Sequence, residues 1–180
     1  MNYEKIVDQV CGEITLNKSK VDNPTVIALV GLQYSGKSTI ANMISQHNYA
    51  HYWATKIKKE YNIANEQMLE IAGLVVRKLV SDGYNVVIDY VNHKFAMRQS
   101  LRDIVSESSA HYKLVYLDIK KEERHRRREV NIAEGETAGR RIISLEQMQE
   151  FEDNFDIPSL NENPIVLKTQ EDINSFIASL

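Results

Sequence analysis

Eight consecutive residues, Gly-Leu-Gln-Tyr-Ser-Gly-Lys-Ser at positions 31–38, complete the pattern G-x-x-x-x-G-K-[ST]. A loop of this kind turns successive main-chain N–H groups into one concavity, and a helix beginning at its end adds a dipole that favours an anion there. Lys37 supplies a point charge for the outer phosphates of a polyphosphate, and the Ser38 hydroxyl can ligate Mg²⁺. Gly31, Gln33, Tyr34, Ser35, Gly36, Lys37, Ser38 and Thr39 are therefore the candidate phosphate-binding set. The chemistry implied is the gripping of a nucleoside triphosphate by its phosphate tail.

Two carboxylates and two groups of arginines could act beside such a loop. Asp89 follows Val86-Val87-Ile88, an apolar run that reads as a buried strand. At the carboxyl end of a strand in an open α/β sheet it could hold Mg²⁺ through water, orient a hydroxyl, or take its proton. The alternative for Asp89 is a strand-end turn former. Asp118 ends the next apolar strand in the same way but runs into Lys120 and Lys121, so a structural role is favoured. Arg124-His125-Arg126-Arg127-Arg128 is the densest positive charge, and guanidinium forks stabilise charge on transferring phosphoryl oxygens. Five helical residues exceed one turn, so one or two of them can face a ligand while the rest pair with Glu122, Glu123 and Glu129. Arg140 and Arg141 form a second pair, and Arg98 could meet a substrate anion or lie at the surface. His47 and His51 are four apart with a helix end between them and no third ligand in sight, so no metal site is read there. Tyr49, Tyr52 and Trp53 could stack a base but suit a core better.

These residues need elements to position them. An amphipathic helix is expected over residues 2–16, from the spacing of Ile6, Val7, Val10 and Ile14. Strands are expected at 25–30, 49–53, 85–89, 112–118 and 164–167. Helices are expected at 37–47, 65–81, 94–106, 121–132, 145–155 and 171–180. Asn65 is the expected cap of the second of these, and Met68, Leu69, Ala72, Val75, Val76 and Leu79 its apolar stripe. Alternating strands and helices imply an α/β fold, with a mostly parallel five-stranded sheet between two layers of helices. The 180 residues suit one domain, with residues 1–24 as a helix and lead-in and 133–144 as a glycine-containing lid loop.

Bulk properties narrow the class. With 43% hydrophobic and 26% charged residues the chain has the composition of a soluble globular protein, and a net charge of −3 argues against a surface that coats nucleic acid. No apolar run reaches the roughly 18 residues a membrane span needs. The amino terminus lacks the layout of a signal peptide, and the lone Cys11 permits no intrachain disulfide. A cytoplasmic protein is the expectation.

Taken together, the chain resembles the P-loop kinases, in the group that holds polynucleotide kinases, zeta-toxin-like kinases and small nucleoside or nucleotide kinases. The resemblance rests on residues 31–41, on Gly83-x-x-Val-Val-Ile-Asp89 with Arg98 after it, and on Val115-Tyr-Leu-Asp118. The basic helix around Arg127, then Arg140 and Phe151-Glu152, complete it, so that it covers most of residues 25–155. It implies the three-layer P-loop NTPase fold, ATP and Mg²⁺ as cofactors, and Ser38 and Asp89 on the metal. It also implies Arg127 packed on the nucleotide, and Lys37, Asp89, Arg127 and a lid Arg140 in catalysis. Two departures stand out. Many members carry an Asp after the second strand as the base for the accepting hydroxyl, where this chain has Thr55, with Lys58 three residues on. Tyr34 stands where a small residue is common, which should narrow the mouth of the site.

The expected activity is transfer of the γ-phosphoryl of ATP to a hydroxyl or phosphate of a small molecule, a nucleotide or a nucleic-acid 5′ end. The alternatives are a nucleotide-binding protein with weak or no transfer, and an NTP hydrolase. No Asn-Lys-x-Asp guanine motif follows the loop.

Overall fold

The computed structural model describes residues 3–135 and 142–180. Five strands, β1 (Thr25–Val30), β2 (Tyr49–Trp53), β3 (Asn85–Asp89), β4 (His111–Leu117) and β5 (Ile165–Leu167), lie in the order β2-β3-β1-β4-β5. Every pairing is parallel, so the sheet is wholly and not just mostly so. The helices are α1 (Tyr3–Ile14), α2 (Lys37–Ser45), α3 (Ala54–Glu60), α4 (Met68–Ser81), α5 (Phe95–Ser106), α6 (Lys121–Glu134), α7 (Leu145–Asp153) and α8 (Gln170–Ala178).

A parallel sheet buries both faces, which is why β1 can be apolar from Val26 to Val30 with none of these residues exposed. Its side chains alternate between two cores. Val26 faces the layer of α1, α4 and α5, with Tyr52, Val86 and Ile88 beside it. Ile27 and Leu29 face α2 and α8, with Tyr49, Val87, Val115 and Leu117. Tyr49 and Tyr52 thus belong to the two cores, and Trp53, partly buried, stacks on His51 at 6.1 Å. The stripe of α4 is as expected, with Ile71 and Val80 added, and Leu69 at its half-buried margin. Asn65 does not cap α4. A 3₁₀ turn, Asn65–Gln67, precedes it, and the Asn65 side chain accepts from Lys58 Nζ.

The chain leaves β1 for β2 and β3 on one side and returns to β4 on the other. β1 is therefore the switch point, where an open α/β sheet makes a crevice outside the carboxyl ends of its strands. The glycine-containing loop follows β1 at that point, and Asp89 closes the adjacent β3. Among the described residues no helix is long and apolar enough to cross a membrane.

Candidate functional site

The loop between β1 and α2 is held in shape by its glycines. A side chain on Gly31 would put its Cβ 2.8 Å from Ser35 Oγ and 3.0 Å from the Leu117 carbonyl oxygen, so the loop and the end of β4 leave it no room. Gly36 has φ +97°, a left-handed conformation, and a Cβ there would meet Arg127 Nη1 at 3.1 Å. Tyr34, at φ +59°, takes a left-handed conformation without being glycine. No side chain caps the start of α2, so the N–H groups of its first turn have no side-chain cap. Ser35 Oγ is buried there without a partner.

Lys37, the first residue of α2, curls back over the loop and donates from Nζ to the carbonyl oxygens of Gly31 at 2.7 Å and Leu32 at 3.0 Å. Burial pulls its pKa down to about 8, Arg124 pushes the same way, and Asp89 opposes both. The ammonium is thus under-solvated and lacks sufficient counter-charge, the condition a polyphosphate would relieve.

Arg127 is the member of the basic run that reaches the loop. Its Nη1 donates to Ser35 O at 2.9 Å and Tyr34 O at 3.3 Å, and its Nε to Glu123 at 2.8 Å. Arg126 also grips Glu123, and the two guanidiniums hold that carboxyl down at about 2. Residues 34–39 form one wall of a cavity of about 470 Å³, with Arg127 and Val130 of α6 and Ile173 of α8 opposite. Gln33 is not part of it. That side chain lines a second cavity of about 450 Å³, on the other flank of the loop, with His93 and with Phe151 of α7. Between the two, Ile143 is held at both main-chain groups: its N–H donates to Tyr34 Oη at 3.0 Å and its carbonyl accepts from Arg128 Nε at 2.7 Å. Arg140 and Arg141, with half of the expected lid, lie outside the described residues.

Asp89 is 6% exposed, and its Oδ2 has no hydrogen-bond partner. It faces His51 Nε2 of β2 at 3.7 Å, and that nitrogen is equally without a partner. Asn92, fully buried, donates to Leu29 O at 2.9 Å and leaves its Oδ1 unsatisfied. Buried polar groups ordinarily find partners. Several that lack them, on Gln33, Ser35, His51, Asp89, Asn92 and His93, come from this loop or from the adjoining strand ends and connections. An unsatisfied carboxylate oxygen on Asp89 and the Ser38 hydroxyl in the first turn of α2 fit Mg²⁺. This ion takes one or two protein oxygens and completes its shell with phosphate oxygens and water. No cluster of three or more His, Cys, Asp or Glu side chains that could hold a metal occurs among the described residues.

Other expectations fare differently. Arg98 is neither at the surface nor free to meet a substrate anion. It is 2% exposed and paired with Glu162 through Nε–Oε2 at 2.6 Å and Nη2–Oε1 at 3.0 Å, while Nη1 donates to the carbonyls of Asn92 and Asp156. Asp118 accepts from Tyr116 Oη and pairs with Lys168 at 3.3 Å. Thr55 is exposed on α3, which continues directly from β2. Arg124 was not separable from its neighbours in sequence. It is 3% exposed, tied to Ile119 O and Glu152, and its Nη1 is buried without a partner. His93 also escapes a sequence reading, because nothing in its spacing marks it, and the spacing of His51 to His47 leads only to a rejected metal site. For Phe151 the one signal is Phe151-Glu152 in the family resemblance.

No family model matches the sequence, and no curated protein matches it. Solved structures do. Kti12 of Chaetomium thermophilum, solved with ADP-AlF3, superposes with a TM-score of 0.69 at 11% identity, over 86% of this chain and 96% of that one. The gluconokinase of Sinorhizobium meliloti gives 0.61 at 13%, over 87% and 93%. The APS kinase of Mycobacterium tuberculosis, solved with AMPPNP and APS, gives 0.59 at 17%, over 87% and 95%. The chain shares the three-layer α/β fold of these structures. At these identities the likeness extends to the architecture, and a fold leaves substrates to be argued from the side chains themselves.

Proposed function

We propose that the protein is an ATP- and Mg²⁺-dependent phosphotransferase. The observation that carries this reading is the pair of cavities of similar size on the two flanks of one phosphate loop. A hydrolase needs room for a nucleotide and a water. A transferase needs room for a second substrate, and the second cavity supports that reading.

In this reading residues 34–39 and Arg127 bind the nucleotide, with the β- and γ-phosphates over the loop amides and Lys37 turned from the loop carbonyls onto their oxygens. Ser38 and Asp89 hold Mg²⁺, which offsets phosphate charge when bound. Asp89, at the end of β3, also suits the orientation of an accepting hydroxyl and the removal of its proton. The acceptor occupies the cavity of Gln33, His93 and Phe151. Arg140 and the segment 133–144 complete the site as a lid. One observation favours a second reading, nucleotide binding with little transfer: Thr55, where a base is common, points to solvent.

The test is transfer of label from γ-labelled ATP across a panel of hydroxyl- and phosphate-bearing acceptors, with hydrolysis measured alongside. A labelled acceptor is the expected result. Phosphate release alone would make the protein a hydrolase, and bound ATP with neither outcome would leave the second reading standing.

A further inference from the structure

His51 makes no metal site with His47, yet the fold sets it against the carboxylate on which the chemistry turns. Side chains of β2 and β3 alternate between the two cores: Tyr49 and Val87 face α2, while Ala50, Tyr52 and Ile88 face away from it. His51 and Asp89 therefore share the α2 face, and the parallel register places His51 beside Val87, one diagonal step from Asp89. The result is the 3.7 Å approach of Nε2 to Oδ2, with side-chain exposures of 15% and 5% and both atoms sealed from solvent. Stacking on Trp53, with the planes 10° apart, sets the plane of the imidazole. Nδ1 is not among the buried atoms that lack a partner, so the unmet need of the ring is at Nε2. Asp89 in turn raises the pKa of Lys37 against the effect of burial, so its charge is felt at the phosphate loop.

Resting on the kinase reading, we propose that His51 is a positioning residue for phosphoryl transfer, donating from Nε2 to Asp89 and fixing that carboxylate for its work on Mg²⁺ and the acceptor hydroxyl. A sealed carboxylate oxygen without a donor is costly, and the donor that the fold sets against it is this imidazole. At 3.7 Å the pair is about 0.5 Å too long for a hydrogen bond, a contact of the kind that tightens when substrates bind. A neutral ring with its hydrogen on Nε2 is enough. An ionised carboxylate has about four lone-pair sites, so His51 takes one and leaves the others for metal and hydroxyl. Orientation matters here because Thr55, where the resemblance expects a base, is exposed on α3, and the task falls to Asp89. In the step itself the acceptor oxygen bonds to the γ-phosphorus as the bond to the β–γ bridging oxygen breaks. ADP leaves, and Asp89 takes the hydroxyl proton. His51 touches none of the reacting atoms and acts through the carboxylate alone.

The test sets His51→Leu, which keeps bulk without a donor, against His51→Gln, whose amide N–H can stand in the place of Nε2. Both are made in the full-length protein and assayed with Mg²⁺, γ-labelled ATP and the acceptor best labelled in the panel. His51→Leu should lower kcat by roughly 10- to 10²-fold, the usual cost of losing the partner that orients a metal-site carboxylate. The ATP KM should stay within about two-fold, and His51→Gln should recover most of the rate. In an Asp89→Asn background, His51→Leu should cost less than about two-fold more, because the two residues act as one unit. An unchanged kcat in His51→Leu, no recovery in His51→Gln, or losses that multiply independently would overturn the proposal. Nitrogen NMR of the free protein needs neither turnover nor a variant of His51, so it decides even where His51→Leu fails to fold. It should show a protonated His51 Nε2 whose resonance shifts in Asp89→Asn. A bare Nε2 or an unmoved resonance would equally overturn the proposal. The expected resonance in a protein that labels no acceptor would instead count against the kinase reading and leave the contact between His51 and Asp89 standing.

Discussion

The two flanks of the phosphate loop are built by different means. The flank proposed for the nucleotide draws on one continuous stretch, residues 34–39, with Lys37, Arg126 and Arg127 as its cations. The other flank is assembled from side chains that the fold collects from distant places: Gln33 in the loop, His93 after β3, and Gln147, Phe151 and Asn154 on α7. A polyphosphate is much the same in every nucleotide, so a backbone cradle at fixed spacing suffices for it. An acceptor varies, and side chains can vary with it while the cradle stays put. On the proposed reading, one flank announces its ligand in sequence and the other does so only through geometry.

That division can be broken experimentally. Lys37→Ala should slow transfer by on the order of 10³-fold, because a preorganised cation at the phosphates is lost. Steady-state kinetics should show the acceptor KM nearly unchanged, and a large rise there would mean that the flanks are not separate. Arg98→Met leaves Glu162 buried and unpaired, so urea denaturation should register a loss of about 3–5 kcal/mol. If Arg98 met a substrate anion instead, stability would hold while acceptor affinity fell. Asp89→Asn should cost roughly 10²-fold in turnover with little change in nucleotide affinity, read by single-turnover transfer and by calorimetry.

The smallest effect is one of pH. The pKa of Lys37 is lowered to about 8 from 10.5, and bound phosphate should restore it. Nucleotide binding at pH 8 should then take up ~0.5 proton, measurable by calorimetry in buffers of different ionisation heat, and affinity should fall as pH rises above that point. In the free protein the sign is opposite for stability. Between about pH 8 and 10.5 the unfolded chain binds more protons at this residue than the native one, so its contribution to stability rises with pH. Uptake near zero at pH 8 would mean that Lys37 does not meet the phosphates.

The layered α/β architecture was legible because buried parallel strands read as apolar runs and helices as 3.6-residue stripes. The edges of β1, β2 and β3 match their expected bounds, and those of most other elements differ by one or two residues. The stretch after β2 resisted reading, since β2 passes into α3 at Trp53 and Ala54 with no glycine or proline to mark the change. Arg98 invited assignment to a substrate because its partner, Glu162, lies 64 residues away. Arg124 looked like one member of a solvated basic face, yet it alone of that run is fully buried, between the end of β4 and Glu152. Sequence spacing reports periodicity well. It carries little about which distant side chain neutralises which charge.

The Glu162 carboxylate has a mechanical meaning beyond its charge. It fastens the chain just ahead of β5 and α8 to α5, and α8 contributes Ile173 to the nucleotide wall. One clasp therefore anchors scaffolding for both chambers. Unfastening it would loosen both chambers in step, and an equal decline in the affinities proposed for them would betray a slackened frame where a lone decline would betray a lost contact.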